Sequence, residues 1–166
     1  MPLERLWAGW RGEYVDSGPG GGEACVFCTI LASGEDDSAT FVLWRGESTA
    51  VVLNAFPYTS GHVLVLPLRH IADLEQLNGP ETVELWSTVT AAVVAIKEAY
   101  RPGGLNVGSN LGRSAGAGVP GHLHVHCLPR WNGDTNFMTS LAEARVLPEA
   151  LSTTWRRLRS AWPSPS

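Results

Sequence analysis

Three histidines alternate with apolar residues in the segment HLHVHCL at residues 122–128. In a β-strand, residues two positions apart project from the same face, so successive imidazoles would stand roughly 6.6 Å apart. In a helix the same residues would point about 200° from each other, and the cluster would disperse. The alternation therefore predicts a strand that buries Leu123, Val125 and Cys127 and presents three imidazoles on its other face.

The length of 166 residues suits one domain, which can bury a core without disulfides. The net charge of −4 argues against wrapping of nucleic acid, and no apolar run reaches the roughly 18 residues of a membrane span. Without a signal-peptide core, the expected compartment is the cytoplasm. We expect an N-terminal arm and linker at residues 1–22, a main domain at 23–140, and a C-terminal helix and tail at 141–166.

The remaining patterns predict strands around one long helix, which is an α+β fold. Gly79-Pro80-Glu81 suits a helix start, and the glycines and proline of residues 101–104 end it. The expected strands are 41–44, 49–53, 62–66, 105–110 and 122–128, with a short helix in the arm and a closing helix at 148–162. The apolar stripe of the long helix is expected to comprise Val83, Trp86, Val89, Val93, Ile96 and Tyr100.

A loop with several glycines, residues 112–121, precedes the histidines. Glycine lets the backbone approach a ligand closely, and successive N–H groups can cradle phosphate oxygens. Phosphate held beside an imidazole nucleophile is typical of phosphoryl or nucleotidyl transfer, and the attacking imidazole must be neutral. Arg113 and Arg130 are either charge partners of the phosphates or solvated surface charges.

Cys25-Val26-Phe27-Cys28 is a CxxC pair. Such a pair is half of a tetrahedral zinc site or a redox pair, although the βαβ setting of a thioredoxin-like motif is absent. A zinc site needs two further ligands, and histidine is the plausible source. Cys127 lies on the packing face of its strand, so we expect a small buried hydrophobe there.

The histidine segment resembles the motif of the histidine-triad (HIT) superfamily, His-φ-His-φ-His-φ-φ, in which φ is hydrophobic. Residues 54–67 are similar to the strand–loop–strand segment of that family, and residues 106–121 to its phosphate loop. Arg5-Leu6-Trp7 and the runs 106–112 and 129–137 resemble bacterial diadenosine-tetraphosphate phosphorylase-like proteins, a branch close to the dinucleoside-polyphosphate hydrolases.

The resemblance implies a HIT domain at residues 23–140 that forms a homodimer, and the seven tryptophans also favour more than a monomer. It implies that His124 attacks the α-phosphorus to form a nucleotidyl-histidine, that His126 contacts the phosphate, and that water or phosphate then releases the nucleotide. The implied nucleotide- and phosphate-binding residues are Asn54, Asn110, Ser114, Ala117, Gly118, Val119 and His126. Ser114 enters this set because the usual Gln and hydroxyl before the triad are missing from Ala117-Gly118-Val119-Pro120.

For members with a CxxC pair, the resemblance implies a structural Zn²⁺ held by Cys25, Cys28, His70 and His122. The alternative is two reduced, partly buried thiols. His62 matches a histidine near the site in the hydrolase branch, but it also fits a satisfied core histidine at a strand start.

The function implied is cleavage of adenine dinucleoside polyphosphates, as in diadenosine-tetraphosphate phosphorylases. Phosphorolysis is favoured over hydrolysis because of the branch-like segments, while hydrolysis of dinucleoside polyphosphates or of nucleoside phosphoramidates stays open. Two other classes also stay open. One is a zinc hydrolase that uses the three histidines as metal ligands, and the other is a non-catalytic nucleotide-binding module.

Overall fold

The computed structural model describes residues 24–134 and 149–164, so the predictions for the N-terminal arm and for residues 135–148 lie outside it. Five antiparallel strands form one sheet in the order β1-β2-β3-β5-β4. The strands are β1 (Val42–Arg45), β2 (Thr49–Leu53), β3 (Val63–Pro67), β4 (Gly104–Gly108) and β5 (Val125–Arg130). The helices are α1 (Val26–Ala32), α2 (Asp37–Thr40), α3 (Gly79–Tyr100) and α4 (Leu151–Ala161), with one-turn 3₁₀ helices at Leu74–Gln76 and Arg113–Ala115.

The predicted α+β class is confirmed by this antiparallel sheet and its 22-residue helix α3. Strands β1, β2 and β3 form a meander, whereas β5 inserts beside β3 and leaves β4 at the edge. Within β5, His126 lies opposite Leu64 of β3 and Gly108 of β4. Both neighbouring strands therefore fix the backbone of His126. Among the described helices, none is long and apolar enough to cross a membrane.

Helix α3 starts and ends where its signals predict. Asn78 and Glu81 form a reciprocal capping box, which satisfies backbone N–H groups of the first turn. At the other end, Arg101 takes the left-handed conformation with φ 45° and ends the helix. The Glu81 carboxylate also accepts hydrogen bonds from Arg69 at 3.0 and 2.8 Å, which tethers the loop after β3 to this helix.

The predicted apolar stripe of α3 was wrong for Val83 and Trp86, whose exposed fractions are 72% and 46%. Most of the face that packs on the sheet consists of smaller residues. The buried residues of α3 besides Glu81 are Leu85, Thr88, Val89, Ala92, Ala95 and Ile96. Small side chains such as Ala92 and Ala95 let the helix lie close to the sheet. A prediction that assigns the bulkiest apolar residues to the buried face therefore includes residues of the exposed face.

The two faces of the sheet carry separate apolar clusters. The larger cluster, on the α3 side, includes Leu123, Val125 and Cys127, so the predicted packing face of the histidine segment is confirmed. Burial raises the pKa of Cys127 to about 12, which keeps this thiol protonated. The smaller cluster packs Phe27 of α1 against strand residues that include Leu64. The histidines face this second side.

Helix α4 closes the large cluster, a little shorter than the predicted 148–162. The Trp155 indole N–H donates to the Val42 carbonyl at 2.8 Å, and the Arg159 guanidinium donates to the Leu43 carbonyl at 2.9 Å. These bonds attach the helix to the backbone of edge strand β1 and cover that edge.

Candidate active site and metal centre

The paired strand starts later than predicted, at Val125 and not at His122. The residues before it bond to loops instead of to a neighbouring strand. The Leu123 N–H donates to the Ile71 carbonyl at 2.6 Å, and the His122 N–H donates to the Val119 carbonyl at 3.3 Å. Hydrogen bonds to loop residues therefore replace the strand ladder at His122 and Leu123.

The three imidazoles nevertheless come together on one side of the sheet. The rings of His122 and His124 both contact Phe27, with centroid distances of 5.5 and 5.2 Å. The centroids of His124 and His126 are 5.0 Å apart. Phe27, the third residue of the CxxC segment, forms the apolar wall beside these rings. Sequence reasoning gave Phe27 no role, because the fold alone brings α1 against the triad.

His124 is held in a defined tautomer. Its Nδ1 lies 2.7 Å from the His122 carbonyl oxygen, which can only accept a hydrogen bond. We therefore assign the proton to Nδ1 and the lone pair to Nε2. The side chain is buried, and burial lowers the pKa of His124 below that of a free histidine. The imidazole is consequently neutral near pH 7 and suited to nucleophilic attack through Nε2.

A chain of hydrogen bonds fixes the tautomer of His126. The backbone N–H of Tyr58 donates to Nδ1 of His62 at 3.1 Å, so the proton of His62 lies on Nε2. That Nε2 lies 2.9 Å from Nδ1 of His126, which must accept and leaves Nε2–H of His126 as a donor. Burial, and then the charge of His124, lower the pKa of His126 to about 4.

The two interpretations of His62 turn out to be compatible. Its side chain is 1% exposed and hydrogen-bonded, as expected of a core histidine, yet it contacts the triad directly. Asn54 supports it, with Nδ2 3.3 Å from Nδ1 of His62 and Oδ1 accepting from the Phe56 N–H at 3.0 Å. An amide has two donor hydrogens and two acceptor lone pairs, so Asn54 can still bond a hydroxyl of a ligand.

The glycine-rich loop folds around the 3₁₀ turn Arg113–Ala115. Gly112 and Gly116 flank this turn with φ of 77° and 89°, which an L side chain would strain. The Asn110 side chain donates to the Gly116 carbonyl at 3.4 Å and closes the loop.

The backbone N–H groups after this turn differ in whether they already donate a hydrogen bond within the protein. The Ala117 N–H donates to the Gly112 carbonyl at 3.3 Å and is therefore already engaged. Within residues 24–134 and 149–164, the N–H groups of Gly118 and Val119 have no protein partner. Ser114 lies exposed in the 3₁₀ turn. Gly118 and Val119 thus offer the donors for a bound anion.

The two arginines considered for phosphate binding behave differently. Arg130 donates to both carboxylate oxygens of Asp134 at 2.6 and 2.7 Å and to Oδ1 of Asn106 at 2.8 Å. The bidentate pairing fixes the guanidinium at the end of β5, and its bond to Asn106 joins that end to edge strand β4. Arg113 lies exposed in the loop, and none of the described residues forms an ion pair with it.

The four residues that the resemblance implies for a metal also come together. Their ligand atoms all lie within 4.8 Å of one another, in the set Cys25, Cys28, His70 and His122. The Sγ–Nδ1 distances are 3.3 Å for Cys25 and His122, 3.3 Å for Cys28 and His70, and 3.6 Å for Cys28 and His122. Tetrahedral zinc with ordinary bond lengths separates sulfur and nitrogen ligands by about 3.5 Å, so the set fits such an ion.

The ligand atoms are presented in the form that a metal requires. Nε2 of His122 lies 2.9 Å from the Pro67 carbonyl and carries the proton, which leaves the Nδ1 lone pair facing the cysteines. Burial lowers the pKa of His122, so its imidazole is neutral. Burial and the adjacent Cys25 thiol raise the pKa of Cys28, so a bound cation is needed to hold this sulfur as a thiolate.

Ser109 is a further residue near the triad that sequence reasoning missed. Its hydroxyl donates to the His124 carbonyl at 2.7 Å. A serine in a loop has no periodic signal, and this contact depends on the pairing of β4 with β5.

The family model of the HIT domain matches residues 35–133 of this chain. AP-4-A phosphorylase from Mycobacterium tuberculosis is 38% identical over 167 residues, which cover 96% of this chain and 85% of that protein. The asymmetrical bis(5'-nucleosyl)-tetraphosphatase from Schizosaccharomyces pombe is 34% identical over 93 residues, or 56% of this chain and 50% of that protein. The crystal structure of a Zn-bound histidine triad family protein from Mycobacterium smegmatis is similar with a TM-score of 0.66 and 28% identity, over 83% of this chain and 92% of that one.

Proposed function

Because the chain belongs to the HIT domain family, we propose that it cleaves adenine dinucleoside polyphosphates by nucleotidyl transfer, with phosphate as the preferred acceptor. The observation that carries this proposal is the geometry of His124, a buried neutral imidazole with its lone pair on Nε2. The similarity to an AP-4-A phosphorylase supports the substrate class and the acceptor.

In the proposed reaction, Nε2 of His124 attacks the α-phosphorus of the dinucleotide. A P–N bond forms, the bond from phosphorus to the bridging oxygen breaks, and the remaining nucleoside polyphosphate leaves with that oxygen. The His122 carbonyl stabilises the positive imidazole through Nδ1–H. Inorganic phosphate then attacks the same phosphorus, restores the free imidazole and releases a nucleoside diphosphate. Diadenosine tetraphosphate would thus give ADP and ATP.

The surrounding donors would stabilise the charge that develops on the phosphate. Nε2–H of His126 and the N–H groups of Gly118 and Val119 are the donors that the geometry favours. In this proposal Asn54 contacts the ribose. The loop residues Asn110, Ser114 and Ala117 complete the phosphate site, with Ala117 acting through the loop geometry because its own N–H is engaged.

We also propose that Cys25, Cys28, His70 and His122 hold a structural Zn²⁺. When bound, zinc ties the first turn of α1 to the start of the triad segment. The ligand chemistry and the zinc-bound relative support this choice. A hydrolase with zinc on all three triad histidines is disfavoured, because Nε2 of His122 donates to the Pro67 carbonyl while its Nδ1 faces the cysteines. The lone pair of His126, on Nδ1, already accepts from His62. Two thiolate ligands suit a reducing compartment, in agreement with the expected cytoplasmic location.

A homodimer completes the proposal. Val83, Trp86 and Val94 on α3 are exposed and lie within about 80° of each other around the helix axis, which makes an apolar stripe. Association of two copies through this stripe would bury it.

The direct test incubates the purified protein with diadenosine tetraphosphate, with and without inorganic phosphate. ADP that forms only with phosphate supports phosphorolysis, whereas AMP formed equally in both samples indicates the hydrolase alternative. Adenosine phosphoramidate is tested separately, for the alternative in which the protein hydrolyses nucleoside phosphoramidates and an amine is the leaving group. Binding of AMP without turnover of any substrate would instead identify a non-catalytic module. The control is His124→Asn, which keeps a polar side chain but should lose all turnover.

A further inference from the structure

The main-chain carbonyl of His124 lies just beyond the paired part of the sheet. The β4–β5 pairing ends with Gly108 opposite His126, so no strand pair reaches His124. A buried carbonyl without a donor costs free energy, and the His124 residue is 5% exposed. The Ser109 hydroxyl supplies the donor at 2.7 Å. The hydrogen bond from the Ser109 side chain thus extends the β4–β5 pairing by one bond.

This bond and the bond to the ring hold His124 at two separate points. The His122 carbonyl fixes the ring through Nδ1, and the Ser109 hydroxyl fixes the main chain from which the ring projects. We propose that Ser109 is a positioning residue that aligns Nε2 of His124 for attack on phosphorus. The proposal rests on the nucleotidyl transfer put forward above.

Ser109 is not needed to hold the fold together. The sheet on its side is already paired from Gly104 to Gly108, and the loop that follows is closed separately by Asn110. Loss of one hydroxyl at this strand end should therefore leave the fold intact. Its effect should fall on the alignment of His124, since small displacements of a reacting group reduce rate much more than binding.

Four variants isolate the hydroxyl. Ser109→Ala removes it, while Ser109→Thr and Ser109→Val have nearly the same shape and differ only in its presence. Ser87→Ala is the matched control, because the Ser87 hydroxyl also donates to backbone carbonyls, at 2.9 and 3.0 Å, but on the exposed surface of α3.

The first measurement is the steady-state rate with diadenosine tetraphosphate. We expect Ser109→Ala and Ser109→Val to lower kcat about threefold to tenfold, the equivalent of one neutral hydrogen bond, with KM changed by less than about twofold. Ser109→Thr and Ser87→Ala should remain close to wild type. Equal kcat for the Thr and Val variants, or a wild-type kcat in Ser109→Ala, would overturn the proposal.

The second measurement needs no turnover and separates this inference from the proposed function. Long-range ¹H–¹⁵N spectra report the ring nitrogens of His124, which should shift or broaden in Ser109→Ala and Ser109→Val but not in Ser109→Thr. If the wild type cleaves no dinucleotide and the spectra change as expected, only the proposed function fails. If the wild type is active and neither rate nor spectrum responds to Ser109→Val, the role of Ser109 is wrong.

Discussion

Nε2 of His62 lies 2.9 Å from Nδ1 of His126, and the Tyr58 amide on the far side of His62 determines which of the two rings donates. Through this pair, a backbone N–H outside the triad sets the tautomer of a triad histidine. For this reason Nε2 of His126, the nitrogen proposed to contact phosphate, is a donor.

The pair predicts that His62 is needed as a donor and not only as a filler of the core. His62→Leu leaves Nδ1 of His126 without a donor and should lower kcat by about tenfold or more, with a loss of about 1–3 kcal/mol in the free energy of unfolding. His62→Gln retains an N–H and should recover part of the rate. Steady-state kinetics and urea unfolding measure both effects, and an equal rate for the two variants would show that hydrogen bonding from His62 is unimportant.

The depressed histidine pKa values predict an active site that stays competent in mild acid. Burial lowers the pKa of His124, and the pKa of His126 lies at about 4, against about 6.5 for a free histidine. Single-turnover formation of the nucleotidyl-enzyme, without acceptor phosphate, should therefore begin to fall only at a pH below that expected for a free histidine. An acid limb at or above pH 6.5 would contradict the burial argument.

The same shifts predict the direction of the pH effect on stability. Both folded-state pKa values lie below the unfolded value, so the unfolded chain binds more protons as the pH falls through this range. The contribution is complete above about pH 6.5 and is lost progressively toward pH 4. Urea midpoints measured at pH 7.5, 6 and 5 should decrease in that order, with a smaller decrease for His126→Gln.

Several features were accessible from the sequence because their causes are local. The ends of α3 follow from Gly79-Pro80-Glu81 and the stop after Tyr100, and the packing face of β5 follows from alternation. The buried face of α3 was only partly predicted, because Val83 and Trp86 are large apolar residues that nevertheless lie on the exposed side of the helix. The hydrogen bonds from His62 to His126 and from Ser109 to the His124 carbonyl were inaccessible, because they depend on which strands lie beside β5, and no local pattern encodes that order.

Removal of the proposed zinc should act first on structure. Loss of the ion frees the first turn of α1, and with it Phe27, from the triad segment. We expect chelation or Cys28→Ser to lower the melting temperature, with activity declining in parallel as α1 detaches. Cys127→Ala is the control for total thiol count, and it should retain one zinc per chain by elemental analysis. Complete loss of activity before any change in circular dichroism or melting temperature would indicate a catalytic ion.

The apolar stripe on α3 predicts how the chain associates. Trp86→Glu places a charge in the middle of the stripe and should shift the protein from dimer to monomer in light scattering coupled to size exclusion, with an unchanged helical spectrum. Glu75→Lys is the control, since Glu75 is exposed in the 3₁₀ turn Leu74–Gln76 and lies outside α3. A monomeric wild type, or a Trp86→Glu variant that stays dimeric, would exclude this interface.

The two arginines near the site predict opposite consequences of the same substitution. Arg113 lies in the glycine-rich loop and none of the described residues forms an ion pair with it, so its charge is available for the proposed phosphate chain. Arg113→Gln should raise KM for the dinucleotide about tenfold, as expected for a hydrogen bond to a charged group, with little change in melting temperature. Arg130→Gln should instead lower the melting temperature with a smaller effect on KM, because Arg130 joins Asp134 to Asn106. The KM difference should shrink as salt rises, since screening weakens an exposed charge contact. If Arg130→Gln gives the larger KM effect, the phosphate chain lies toward the end of β5 and not along the loop.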